Sequence, residues 1–480
     1  MHRYYDWIER MQSNKQQASA GGGPGVALER PHAMVAAPAA GGPPPFSFED
    51  AWETHSLRRI AFYFCLATLF LRLSVLPELI RYITHVNTYL LYIVGPPAIL
   101  STLLMGGVQR TFRSRAAFYW VAFFAWMVLA TPFSSWPGGS VQRVLNYARV
   151  DGIFLLLVGG MALNWGEVRA IFRTIAAAAV MNLASTRYFE QVANGRVSLE
   201  ASGTIGNSND LAAQLLLVLP FLLFFMTGKG RSIIVRIVVL GLLMYGLWII
   251  LGTASRGGLI GLAVAFLYIL IHVSLSRKVV LVIAAGVITL AALAMLPRMT
   301  LNRLGSLFGG KQEEATESAE SRKYLFLTSV KYTIEHPVFG IGPDQFANFE
   351  GKTSRSEGFH GNWHATHCAF TQVSSECGVP AFIFFTAGLG SAMLLVFRTY
   401  RKAKREGYLE IATGCFCYLL AMVGYLTALI FLAQAYSFRL PAMVGLGVTL
   451  SFAAMRTMRS SHDLAASAPP AAVPQRAILR

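Results

Sequence analysis

The chain has 480 residues, of which 54% are hydrophobic and only 14% charged, well short of the ~25% charged residues usual in a soluble globular domain. Its apolar residues run continuously instead of alternating, which excludes a β-barrel and predicts an all-α, polytopic transmembrane helical bundle. The net charge of +17 then reads as basic loops meeting anionic headgroups, with no nucleic-acid partner.

In chain order, residues 1–57 have no signal-peptide core and become Gly/Pro/Ala-rich after an amphipathic start, as in Gly21-Gly22-Gly23-Pro24 and Gly41-Gly42-Pro43-Pro44-Pro45. Such a composition predicts a disordered cytoplasmic tail. Apolar spans are expected near 60–79, 88–107, 117–133, 150–166, 168–184, 209–227, 232–253, 258–276, 279–296, 379–397, 409–431 and 440–455. That is about twelve, each able to cross ~30 Å of hydrocarbon. The organisation is a bundle of nine spans over 58–296, a large outer loop with two helices over 297–378, three spans over 379–456 and a disordered cytoplasmic tail over 457–480. Arg72 interrupts the first span.

With the N terminus inside, the inner loops hold Arg110, Arg113, Arg115, Arg169, Arg173, Lys229, Arg231, Arg236, Arg277 and Lys278, and later Arg398, Arg401, Lys402, Lys404 and Arg405. This satisfies the positive-inside rule and puts both termini in the cytoplasm and 297–378 outside. Within that loop, 321–335 reads as a helix whose Leu327, Val330 and Ile334 share a face, stopped by Pro337. Gly340-Ile341-Gly342-Pro343-Asp344 is turn chemistry. Residues 364–377 read as a second helix, ended by Gly378. On that helix Cys368 and Cys377 would be ~13.5 Å apart, too far for a disulfide. Cys65, Cys415 and Cys417 read as packing residues.

Several arginines fall on the outer side. Arg143, Arg149 and Arg187 read as headgroup contacts. Arg256, in the short turn Ala254-Ser255-Arg256-Gly257-Gly258, cannot sit far from the bundle, and its guanidinium suits phosphate oxygens. Arg196 precedes a polar stretch that begins at Ser202. His367 suits a general base because imidazole titrates near neutrality. On a helix His364 and Thr371 would share its face, while Glu376 would lie opposite and be structural. His360, His364 and His367 raise a metal question, but Gly361 argues against a helix through His360 and no HExxH occurs, so no metal and no cofactor are expected. Neither a Walker A segment nor GxGxxG is present.

Four stretches together carry a resemblance. Gly203-Thr204-Ile205-Gly206-Asn207-Ser208-Asn209-Asp210-Leu211-Ala212, then Ser255-Arg256-Gly257-Gly258, then Arg322 to Phe346 with its P-x-x-G-x-G spacing, then His367 with Glu376 and Gly378, resemble in order the motifs of the O-antigen ligase and polymerase superfamily. Cys368 stands where that pattern has Asn, Thr371 where it has Leu, and Ser208 where it has Pro.

The resemblance implies metal-independent glycosyl transfer from a polyprenyl-diphosphate-linked glycan, at the periplasmic face of a bacterial inner membrane. It implies His367 as base and Arg256 as the diphosphate's cation, with Arg196, Asn207, Asn209, His364 and Arg322 binding substrate. A lipid A-core acceptor would make the chain a ligase, a lipid-linked glycan acceptor a polymerase. A secondary transporter or flippase is the alternative from another class, but the charges gather on the outer side and not at mid-bilayer.

Overall fold

The computed structural model describes residues 56–467 apart from 194, 200–202, 204, 228–231, 308–312 and 357–362. The expected N-terminal tail and His360 therefore lie outside the described residues. The chain is helical nearly throughout. It opens with α1 (Ser56–Leu73), α2 (Leu76–Thr84), α3 (Leu90–Leu104), α4 (Gly107–Thr111) and α5 (Arg115–Ala130). Next come α6 (Pro137–Asn146), a π-helical turn at Tyr147–Gly152, α7 (Phe154–Gly159) and α8 (Trp165–Phe189). A hairpin of β1 (Glu190–Ala193) and β2 (Arg196–Leu199) leads to α9 (Ser208–Thr227), α10 (Ile233–Gly252), α11 (Arg256–His272) and α12 (Leu275–Ala294). The segment between α12 and the next long helix holds α13 (Arg298–Leu307), α14 (Glu313–Glu335) and α15 (Phe346–Ser356). The chain then closes with α16 (Ala369–Arg405), α17 (Leu409–Leu429) and α18 (Arg439–Ser467).

Among the described residues eight helices are long and apolar enough to cross a membrane, or nine if the bent pair α1–α2 is one span; α3 and α11 are shorter apolar helices. The expected span at 150–166 is instead broken into the π-turn and α7. Glycine explains the break: a Cβ on Gly160 would lie 2.4 Å from the backbone of Gly107, so two backbones cross where a side chain cannot fit. Helix α18 continues past 456 to Ser467, into the stretch expected to be a tail.

The α1–α2 bend of 65° has Pro77 in the first turn of α2, where its missing N–H costs nothing. The backbone groups the bend frees are paired by buried amides. Leu73 O accepts from Asn182 Nδ2 at 3.1 Å and Gln214 Nε2 at 2.7 Å, and Val75 N–H donates to Asn182 Oδ1 at 3.1 Å. Inside a bundle such groups must find protein partners.

The two-stranded hairpin is an addition to the all-α expectation, with Glu190 opposite Leu199 and Ala193 opposite Arg196. Its signal was present: Asn194-Gly195 between alternating apolar residues is a hairpin turn sequence, and Gly195 has φ +69°.

The segment expected to be the large outer loop also departs from expectation. In α14 the buried face is Leu325, Thr328, Ser329 and Tyr332, while Leu327 and Ile334 are exposed. Small hydroxyl residues let α14 approach α16 closely, and Thr333 Oγ1 meets Ser374 Oγ at 2.8 Å. The second expected helix starts only at Ala369. Ahead of it, Thr366 Oγ1 donates to Cys368 O and accepts from Cys368 N–H, a local turn that competes with helix. The five cysteines are free and buried.

Candidate functional site

The motif loop after α14 is locked to the start of α16. Gly378 interrupts that helix with φ 84° and ψ 173°, a backbone region essentially reserved for glycine. The loop supplies the hydrogen bonds the helix loses there: Val379 N–H donates to Pro337 O, Ile341 N–H to Ser375 O, and Gly342 N–H to Glu376 O. A Cβ on Gly378 would lie 2.1 Å from Val338 O, and one on Gly340 2.4 Å from the Glu376 carbonyl carbon. Glu376, 3% exposed, completes the lock. Its carboxylate accepts from Asp344 N–H at 2.9 Å, Phe346 N–H at 3.4 Å and Tyr436 Oη at 2.7 Å. The structural role expected of Glu376 is the one observed, and Leu325, Tyr332, Ile341 and Phe346 form a small core beside it.

His367 sits in the irregular stretch before α16, with φ 54°. The shared helical face with His364 and Thr371 is therefore not formed. His364 and Arg322 nevertheless come close to His367. Burial, then the Arg322 charge, then His364, hold the imidazole down to about 4, so it is neutral with a free lone pair at pH 7.

Arg196, Asn207 and Asn209 meet elsewhere at the same end of the bundle. Arg196 donates from Nε to Thr253 O at 3.0 Å and from Nη2 to Asn209 Oδ1 at 2.6 Å. Asn207 caps α9, its Oδ1 accepting from the N–H groups of Asn209 and Asp210. Arg256 opens α11 behind its cap Ser255, whose Oγ accepts from Gly258 N–H. It is half-buried, and among the described residues no hydrogen bond or ion pair holds it. A cation at a helix N terminus is unfavourable for the helix itself.

A cavity of about 520 Å³ is lined among others by Arg72, Arg81, Arg143, Arg439, Glu78, Asp151, Asp344 and Gln434; His367, Arg256, Arg196, Asn207 and Asn209 are not among its lining residues. Gln434 ties it to the Asn207 turn by donating to Asp210 Oδ1 at 2.5 Å, and Gln372 Oε1 on α16 accepts from Ala435 N–H at 3.2 Å. Arg143 stacks on Tyr436 at 5.0 Å and lies 3.9 Å from Asp344, so it is a cavity residue and not the headgroup contact expected. Arg149 is the exposed one, near Asn146.

Arg72 pairs with Asp151 at 3.3 Å and stacks on Phe438 at 4.7 Å. Arg439 donates from Nε to Gln214 Oε1 at 2.5 Å. Sequence reasoning noted Arg72 only as an interruption and passed over Arg81 and Arg439; a charge within or beside an apolar span was the signal available. Among the described residues no three His, Cys, Asp or Glu side chains converge on a metal geometry.

Membrane-length helices with a polar, arginine-lined cavity at one end define a multi-pass membrane protein with a charged site at that end. Residues 241–386 match the O-antigen ligase family, a match that supports the O-antigen ligase and polymerase superfamily. The match includes Arg256, Arg322, the motif loop, His364 and His367; the cavity arginines and Arg196 lie outside it. No curated protein matches the chain.

Proposed function

We propose that the chain transfers a glycan from a polyprenyl diphosphate to an acceptor sugar hydroxyl, at the periplasmic face of a bacterial inner membrane. The observation that carries this reading is the convergence of Arg72, Arg81, Arg143 and Arg439 on one cavity beside the motif loop. Set against the carboxyls of Glu78, Asp151 and Asp344 on the same wall, the four guanidiniums offer planar donors suited to a diphosphate's oxygens. Arg256 adds a further cation, connected to the cavity wall through Thr253, Arg196, Asn209 and the Asp210–Gln434 contact.

In the reaction, neutral His367 takes the proton of the acceptor hydroxyl. The oxygen attacks the anomeric carbon from the face opposite the diphosphate, the bond from that carbon to the diphosphate oxygen breaks, and configuration inverts. The electron pair leaves on the polyprenyl diphosphate, where arginines stabilise it. The arriving diphosphate also raises the basicity of His367, because a nearby anion favours the imidazolium. Proton acceptance is thus strongest when donor is bound.

The test is transfer by purified protein reconstituted with a polyprenyl-diphosphate glycan and either lipid A-core or a second lipid-linked glycan. Product on lipid A-core makes the chain a ligase, and product on the second carrier makes it a polymerase. Absence of both, with carrier movement across vesicles instead, would favour a flippase.

A further inference from the structure

Asp344 differs from the rest of the cavity wall in two respects. Its backbone is left-handed, at φ +61°, a conformation that glycine adopts more cheaply than any side-chain-bearing residue. The lock described above holds it there, through its own N–H on Glu376. Its carboxylate, in a long ion pair with Arg143, also accepts no hydrogen bond among the described residues. The nearest cation is Arg143 Nε at 3.9 Å, beyond hydrogen-bond distance, and among the described residues no donor reaches its oxygens. Asp151, by contrast, is engaged by Arg72 and by Phe438 N–H at 3.1 Å. The Asp344 side chain is 54% exposed, and it lines the arginine cavity. Burial within that concavity raises its pKa, with Arg143 opposing.

We infer that Asp344 binds the hydroxyls of the sugar attached to the diphosphate, and so selects donors whose first sugar is neutral over those whose first sugar carries a carboxylate. This rests on the diphosphate reading above. A phosphate held by Arg143 brings its own sugar within one ring's width of Asp344. An ionised carboxylate there accepts hydrogen bonds from vicinal hydroxyls and repels a second carboxylate. Asp344 thus stands on the cavity wall, on a backbone that the lock holds in place.

The experiment compares wild type, Asp344→Asn and Asp344→Gly in the reconstituted transfer assay, with sugar-free polyprenyl diphosphate as a competing ligand. Asn tolerates the left-handed backbone and Gly relieves it, so both variants keep the fold. The expected result is a rise of about 10- to 100-fold in donor KM for both variants, the scale of a lost hydrogen bond to a charged group. Inhibition by the sugar-free lipid should stay within about twofold, on the same reasoning that its contacts are unchanged.

Donor KM within about twofold of wild type in both variants overturns the inference and leaves the proposed function standing. Failure of the sugar-free lipid to inhibit wild type overturns the diphosphate reading and this inference with it. Independently of any variant, wild type should use a donor with a uronic first sugar at least about tenfold less well; equal use overturns the inference.

Discussion

The two ends of the bundle are both rich in arginine and use it in opposite ways. At the end with the basic loops, arginines are spent on structure. Arg58 pairs with Glu167, which also accepts from Leu163 N–H while Asn164 caps Glu167 N–H, a reciprocal cap for α8. Arg110 donates to Gly160 O through Nε and Nη2 and to Met105 O through Nη1, and Arg169 reaches Glu410. At the other end, Arg72, Arg81, Arg143 and Arg439 line a cavity while also holding protein groups, Arg72 on Asp151 and Arg439 on Gln214, and Arg256 has no hydrogen-bond or ion-pair partner among the described residues. An arginine held by carbonyls and carboxylates at a helix end stabilises that end. One that also lines a cavity can present a further N–H to a ligand there.

This contrast makes the strongest claims the easiest to break. His367→Ala should lower transfer by about 10²- to 10⁴-fold, the range for losing a general base, with donor binding retained; wild-type turnover would remove it from the mechanism. Arg256→Ala should cost about 10²- to 10³-fold in turnover, as for loss of one charge-stabilising group. At the opposite end Arg58→Ala should act on stability alone, by about 3 kcal/mol for breaking a largely buried pair. Thermal unfolding in detergent would then show a lower Tm, with turnover per folded molecule unchanged. A turnover defect at normal Tm would erase the distinction between the ends.

The smallest expected effect is in pH. His367 is held down to about 4, below its unfolded value near 6.5. Its contribution to stability is therefore complete above about pH 6.5 and is lost as pH falls through about 4. The acid limb of kcat/KM, which reports free enzyme, should lie near 4. That of kcat should lie higher, because bound diphosphate favours the imidazolium. Coincident limbs would show that the donor does not approach His367.

How far the sequence could be read differs between these same regions. His364, His367, Arg256, Arg322 and the glycine loop stand in short local motifs, and the motif order was visible without coordinates. The cavity was not, because it is made by partners far apart in the chain: Arg72 with Asp151, Arg143 with Tyr436, Gln214 with Arg439. In a chain this apolar, period and hydropathy locate spans but do not say which faces meet. Helix α14 shows the same limit, since its packed face is built on Thr328 and Ser329 and not on the more apolar Leu327 and Ile334. Hydrophobicity does not decide contact on this helix; closeness of approach does.

The stitched break at Gly378 has a consequence for comparing or recombining relatives. Residues 337–342 and 375–379 exchange backbone hydrogen bonds so fully that they form one interchangeable part, although more than thirty positions separate them in the chain. A chimera that grafts one half from a relative with a different backbone there leaves amides and carbonyls unmatched at the mouth of the site. Grafting both halves together transplants the mouth intact.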